Sequence, residues 1–339
     1  MNIKLTDEEY ANLFLKQFFD IEYKRNQLLF DNLPNIYTMV RYLAHNMEKE
    51  ETEFDFRKAS KISFLESTKL IDSFYKSINI NFKTDDIVNS GVFKIIRTNS
   101  PEEASDYELT SGNNDYIDGD NGIRHKAVNV YNNGLVTDTI IWVHEISHYR
   151  NQPERNRGPV NDMLTELLAF TEEFIYMDYL EKVGYKDDVE EFKIKEYQNF
   201  YNIINVSYHA IIRICLLYFK LGEVSKEDYK NYYGEDDNYE KAIEIFVREI
   251  KNNKKIIFTI LWYSIAVISI YNYEKYKEDS SFLEKINKLN DSLNTDISLE
   301  DALKIIDIKL DKESLDKILQ SINNLKEEIT KKNTRIKRV

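Results

Sequence analysis

The sequence has little of what breaks or staples a chain. A single cysteine, Cys215, in 339 residues excludes an internal disulfide framework and fits a reducing compartment. Nine glycines and four prolines provide sparse punctuation, so stretches rich in Lys, Glu, Leu, Ile and Tyr can run as long helices. Cationic excess is absent too. Against 59 acidic residues stand 46 Lys and Arg, a formal charge of −13, which argues against a nucleic-acid partner gripped through its phosphates. The start, Met1-Asn2-Ile3-Lys4-Leu5-Thr6-Asp7-Glu8-Glu9, has no apolar core of signal-peptide length. A cytoplasmic location is expected, with secretion by a non-classical route left open. The uncharged run Ile256 to Tyr273 is interrupted by Thr259, Ser264, Ser269 and Asn272 and carries Trp262, Tyr263, Tyr271 and Tyr273. It reads as a central bundle helix and not as a membrane span.

What the chain does have is His144-Glu145-Ile146-Ser147-His148. Residues at i and i+4 share one helical face, so the two imidazoles can converge on a zinc ion at roughly 2.0 to 2.1 Å. Glu145 sits about 100° round the helix, where its carboxylate can reach a water in the open coordination position. Zinc lowers the pKa of such a water from 15.7 to about 7, and a neighbouring carboxylate can take its proton as it attacks a carbonyl. The preceding Ile140-Ile141-Trp142-Val143 is apolar, which predicts a buried helix in which two unpaired His would be unfavourable. Thr137 or Asp138 is its expected N-cap, after the turn signal Asn132-Asn133-Gly134. Upstream, Lys126 to Tyr131 alternates in polarity and is expected to be an edge strand beside the motif helix, able to pair with an extended peptide.

Pro159 and Asn161 open a second helix, expected from Asp162 to about Val183 and ended by Gly184. Glu166, in its second turn, is the candidate third ligand, with Asp162 and Glu172 as alternatives. Glu173, at i+7 from Glu166, shares its face and could accept a hydrogen bond from the far nitrogen of a ligating His, fixing the tautomer.

Taken together, Asn129 to Leu180 resembles the active-site region of the oligoendopeptidase F and thimet oligopeptidase family, mainly helical zinc peptidases of the gluzincin type. The matching positions are the turn Tyr131-Asn132-Asn133-Gly134, Asp138, the motif His144-Glu145-Ile146-Ser147-His148, and the series Glu166, Ala169 and Glu173. The resemblance implies a zinc cofactor held by His144, His148 and Glu166, with Glu145 as catalytic base and Glu173 and Asp138 supporting the ligands. It covers about fifty residues. It differs at Ser147, where the family usually has Gly, in a shorter connection to Glu166, and in overall length. The family's downstream Tyr and His, which stabilise the tetrahedral intermediate, have no clear counterpart; Tyr208 and His209, or Tyr201, are the candidates.

The rest reads more coarsely. Residues 1–85 are expected to form amphipathic helices broken at Asn32-Leu33-Pro34 and at Asn79 to Asp86. Residues 86–275 form the catalytic region, with a strand at Val92 to Arg97 and a loop from Ser111 to Gly122. Asp118-Gly119-Asp120-Asn121-Gly122 in that loop lacks the spacing of a calcium-binding loop and reads as a turn. His125 and His45 read as structural or surface residues. Residues 276–339 read as amphipathic helices, capped at Ser298-Leu299-Glu300-Asp301, then a disordered basic tail from Lys331 to Arg338, all forming one unit with the catalytic region. The expected protein is mainly α, a helical zincin-like metallopeptidase acting on a peptide or protein substrate, with no nucleic-acid partner and no membrane association. Two alternatives are a narrow-specificity toxin or effector protease and a non-catalytic binding protein that retains a zinc site.

Overall fold

A computed structural model of the protein describes residues 24–115, 127–151, 159–220, 259–295 and 297–336. In chain order these contain α1 (Lys24–Asn46), α2 (Phe64–Ser77), α3 (Thr84–Asn89), β1 (Phe93–Arg97), α4 (Asp106–Thr110), β2 (Gly112–Asp115) and β3 (Ala127–Asn132). Then follow α5 (Asp138–Asn151), α6 (Pro159–Lys182), α7 (Lys186–Lys220), α8 (Thr259–Ala266), α9 (Ile268–Glu278), α10 (Leu283–Ser292), α11 (Leu299–Ile305) and α12 (Lys312–Ile336). The mainly helical fold with a small β element is as expected.

Helix α6 is the hub. Its middle is buried all round, from Leu164, Leu167 and Leu168 through Phe174, Tyr176 and Met177 to Leu180, the pattern of a helix enclosed by others. It packs against α5, α7, α8 and α9. It ends in a Schellman motif: the Tyr185 N–H donates to the Leu180 carbonyl at 3.0 Å and the Gly184 N–H to Glu181. Gly184 there takes φ 109°, a conformation that glycine adopts without strain. Lys193 on α7, almost fully enclosed at 1% side-chain exposure, donates to Glu181 of α6 at 2.6 Å and to Glu328 of α12 at 3.0 Å.

Helix α5 is clasped between α6 and the sheet. Trp142 is buried, packs on Phe64 and Phe93, and donates its indole N–H to the Tyr131 carbonyl of β3 at 2.8 Å. From α6, Tyr176 donates to Thr139 at 2.9 Å. The helix starts from the turn at Gly134, φ 72°, where Asn132 Oδ1 accepts from the Gly134 N–H. Of the two expected N-caps, Thr137 directly precedes the helix and Asp138 is its first residue; the Asp138 carboxylate reaches back to accept from the Asn133 N–H at 2.7 Å, the Asn133 amide at 2.9 Å and the Leu135 N–H at 3.0 Å.

Several expectations change. The sheet order is β1-β3-β2, with β1 parallel and β2 antiparallel to β3. The strand expected at the edge near 126–131 is therefore the central one, and the edge near α5 is Gly112–Asp115, which the sequence reading placed in a loop. Gly-Asn-Asn-Asp has no intrinsic preference for a strand; pairing with β3, Gly112 opposite Val130, makes it one. Helix α1 runs through Pro34 instead of breaking there, held by a buried face of Ile36, Tyr37, Met39, Val40 and Leu43. The basic stretch expected to be a tail continues α12 to Ile336, since it contains no glycine or proline to stop a helix. The described part of the uncharged run, residues 259–273, is divided at Val267 between α8 and α9, with Asn272 donating to Thr171 in the core at 3.1 Å. Among the described residues no helix is long and apolar enough to cross a membrane. The stretch Asp118 to Gly122 and His125 lie outside the described residues.

Candidate metal centre

Two consecutive helices supply the site. Helix α5 presents His144 and His148 one turn apart, and their rings meet with Nε2 facing Nε2 at 3.2 Å. Helix α6 crosses behind them and brings Glu166 Oε2 to 3.4 Å from His148 Nε2 and 3.7 Å from His144 Nε2. Among the described residues this is the group of three ligand atoms close enough to share an ion, all within 4.8 Å of one another. Donors about 2.1 Å from a tetrahedral ion stand about 3.4 Å apart, so the observed triangle has the size of a zinc face. Glu166 Oε2 is buried and accepts no hydrogen bond, an arrangement that is unfavourable for a carboxylate unless a cation faces it.

The electrostatics of the cluster favour positive charge. Burial alone would raise the Glu166 carboxyl, but His148 and His144 outweigh it and hold it at about 2. Burial depresses His144, yet the Glu166 and Glu173 carboxylates override it and hold that imidazole well above its usual range. Glu173 Oε2 accepts from His144 Nδ1 at 2.9 Å. With Nδ1 so engaged, the neutral imidazole carries its lone pair on Nε2, toward Glu166 and His148. Burial and the Glu196 carboxylate push Glu173 up to about 7, against the pull of His144 and Lys195. The Phe170 ring closes the cluster, edge-on to His144 at 4.6 Å between centroids.

Glu145 is buried on the sheet side of α5. Burial raises its carboxyl above the ordinary range, only partly opposed by His144 and His148. That is the direction that makes a carboxylate a better proton acceptor near neutral pH. Its side chain lies against Gly112 of β2.

The other candidates fall elsewhere. Glu172 faces α5 outside the three-residue group, where Arg150 grips it at 2.8 and 3.0 Å and Ser147 donates to it at 3.1 Å. Asp162 is not part of the three-residue group. Asp138 binds the turn before α5 and not a ligand. The Tyr208 ring packs on Tyr37 and edge-on to His45, and His209 beside it is exposed; Tyr201 is half-buried on the same helix. Sequence reasoning missed the Arg150–Glu172–Ser147 tie between α5 and α6, for which the sequence offers no signal beyond an Arg near the end of the motif helix.

The fold and this group define a mainly helical protein with a candidate His-His-Glu metal centre on two successive helices. No protein-family profile matches the sequence, and no curated protein matches it. Among solved structures it is similar to PZ peptidase A, solved with an inhibitor, with a TM-score of 0.51 and 10% identity over 98% of this chain and 59% of that one. A protein from Bacillus anthracis strain Ames described as an oligoendopeptidase F aligns with a TM-score of 0.48 and 9% identity over 96% of this chain and 56% of that one. The chain thus spans less than two thirds of the length of either, and at these identities the likeness is one of fold.

Proposed function

We propose that the protein is a zinc-dependent peptidase, with His144 Nε2, His148 Nε2 and Glu166 Oε2 holding the metal and Glu145 acting as general base. The observation that carries this reading is the buried triangle of donor atoms at 3.2, 3.4 and 3.7 Å with an unsatisfied carboxylate oxygen at one corner. Bound zinc would supply a Lewis acid for the scissile carbonyl and a water acidic enough to be deprotonated near neutral pH. Glu145, its carboxyl raised by burial, would act as the base, holding a proton on its carboxylate and returning it to the departing amine. Glu173 fixes the His144 ring and keeps Nε2 available. Substrate would lie extended along β2, the sheet edge beside Glu145, adding a strand by main-chain hydrogen bonds. The similarity in fold to PZ peptidase A supports the same class.

The test is metal analysis of the purified protein, paired with cleavage of a mixed peptide library by wild type and Glu145→Gln. We expect zinc in both proteins and cleavage by wild type alone. A protein that binds no zinc, or a Glu145→Gln variant that cleaves at the wild-type rate, would refute the proposal.

A further inference from the structure

Gly112 stands where β2 comes up against α5, and its lack of a side chain is not a matter of backbone conformation. Gly91, Gly134 and Gly184 occupy the left-handed region, with φ of 75°, 72° and 109°. Gly112 does not; its backbone would accept any residue, so what the position demands is space. A Cβ there would fall 2.6 Å from Glu145 Cγ, 3.1 Å from Glu145 Oε1 and 3.1 Å from Ile141 Cγ2, where ordinary contact is 3.4–4 Å. The strand is not free to retreat, being paired with β3 from Gly112 opposite Val130 to Asp115 opposite Ala127. Nor is Glu145, whose Cγ is the middle of a side chain buried between strand and helix. Any side chain at 112 must therefore rotate the Glu145 carboxylate away from its place.

We infer that Gly112 is a positioning residue for Glu145: the bare Cα at the sheet edge is the surface against which the carboxylate is set. The inference rests on the reading of Glu145 as the base. Relieving a contact of 2.6 Å requires a displacement of about 1 Å, and a misplacement of that size can lower a rate about 100-fold. The three atoms nearest an added Cβ belong to Glu145 and Ile141 and to none of the candidate ligands, so the substitution acts first on the base.

Two measurements on Gly112→Ala test this. In the first, zinc content stays at the wild-type level and KM for a peptide from the library stays within about threefold, while kcat falls about 100-fold. The second reads thermal stability and needs no activity. Gly112→Ala lowers Tm by a few degrees, roughly the effect of overpacking, in wild type and in Glu145→Gln, which keeps Cγ. It does so by clearly less in Glu145→Ala, which removes the 2.6 Å contact and leaves only Ile141 Cγ2 at 3.1 Å. If Gly112→Ala unfolds the wild type yet is tolerated with Glu145→Ala, the contact is equally demonstrated. An equal Tm loss in all three backgrounds, unchanged kcat, or loss of zinc together with activity would each overturn the assignment. Should the zinc-loaded wild type cleave no peptide, the peptidase proposal fails, and the Tm cycle alone decides whether Gly112 sets the position of Glu145.

Discussion

Glu173 is where function and stability pull apart, and the two can be measured separately. Its Oε2 accepts from His144 Nδ1 at 2.9 Å, while its Oε1 is buried with no hydrogen-bond partner. Burial and Glu196 raise its carboxyl from 4.5 to about 7. A carboxyl that binds its proton more tightly folded than unfolded adds stability below the unfolded value, and that contribution is lost as pH rises through the folded one. For Glu173 in the metal-free protein the loss runs from about pH 4.5 to about pH 7, and at 1.36 kcal/mol per unit it is on the order of 3 kcal/mol. Glu173→Gln keeps the shape and an acceptor for Nδ1 but removes the charge. In the metal-free state it should therefore be more stable than wild type above about pH 7, by a margin that vanishes toward about pH 4.5. Zinc affinity should move the other way. Loss of a carboxylate behind a ligating His weakens metal binding about 10- to 100-fold, with Glu173→Leu, which removes the acceptor, at the upper end. Denaturant titrations of the metal-free proteins across pH, and zinc affinity by competition with a chelator, give both quantities. Zinc affinity within twofold of wild type for both variants would refute the role assigned to Glu173. A stability difference independent of pH would refute the account of its buried charge.

Other outcomes follow from the same geometry. Lys193→Met leaves Glu181 without this cation and Glu328 with Lys277 at 3.5 Å, and should lower unfolding free energy by about 3 kcal/mol, the low end for breaking a buried pair because both carboxylates keep some exposure; adding Glu181→Gln should recover part of it, and a loss below about 1 kcal/mol would contradict the buried-pair picture. Asp138→Ala strips the acceptor from the Asn133 and Leu135 N–H groups and should destabilise by about 1–3 kcal/mol for each orphaned donor, measured by urea unfolding. Removing metal with a chelator should leave the far-UV circular dichroism unchanged and lower Tm by no more than the linkage RT ln(1 + [L]/Kd) allows; collapse of the helical signal would show that the metal, and not packing, holds α5 to α6.

The parts of the site that are local in sequence were legible, and those made by tertiary pairing were not. His144, Glu145 and His148 share one stretch of helix, so the i, i+4 rule places them without knowledge of the fold. Glu166 and Glu173 could be named because α6 follows α5 directly and their spacing of seven puts them on one face. Which way that face points is a different matter. Glu172, one residue from Glu173, was an equally acidic candidate ligand, and nothing but the packing of α6 turns it toward Arg150 instead. Gly-Asn-Asn-Asp reads as loop because its strand character is borrowed from β3. Without that strand, β3 is the edge, and nothing in the sequence brings Gly112 to Glu145. The oxyanion donors stayed unreadable for another reason: with 24 tyrosines, a Tyr one helical face from any chosen point is nearly guaranteed.

The way α5 and α6 are joined bears on how such a centre keeps its dimensions. Besides the candidate ligands, the two helices are fastened near the start of α5 by Tyr176 to Thr139 and near its end by Arg150 and Ser147 to Glu172. Asn151 donates to Ser147 at 2.9 Å and completes that second tie. Trp142 fixes the same helix to β3. With both ends of α5 tied to α6 and its middle tied to β3, the helix has little freedom to slide or tilt, and packing sets the spacing of the three donor atoms. Ser147 stands where the family resembled here usually has Gly, and its hydroxyl is one of those anchors: the departure at this position reinforces the joint between the helices.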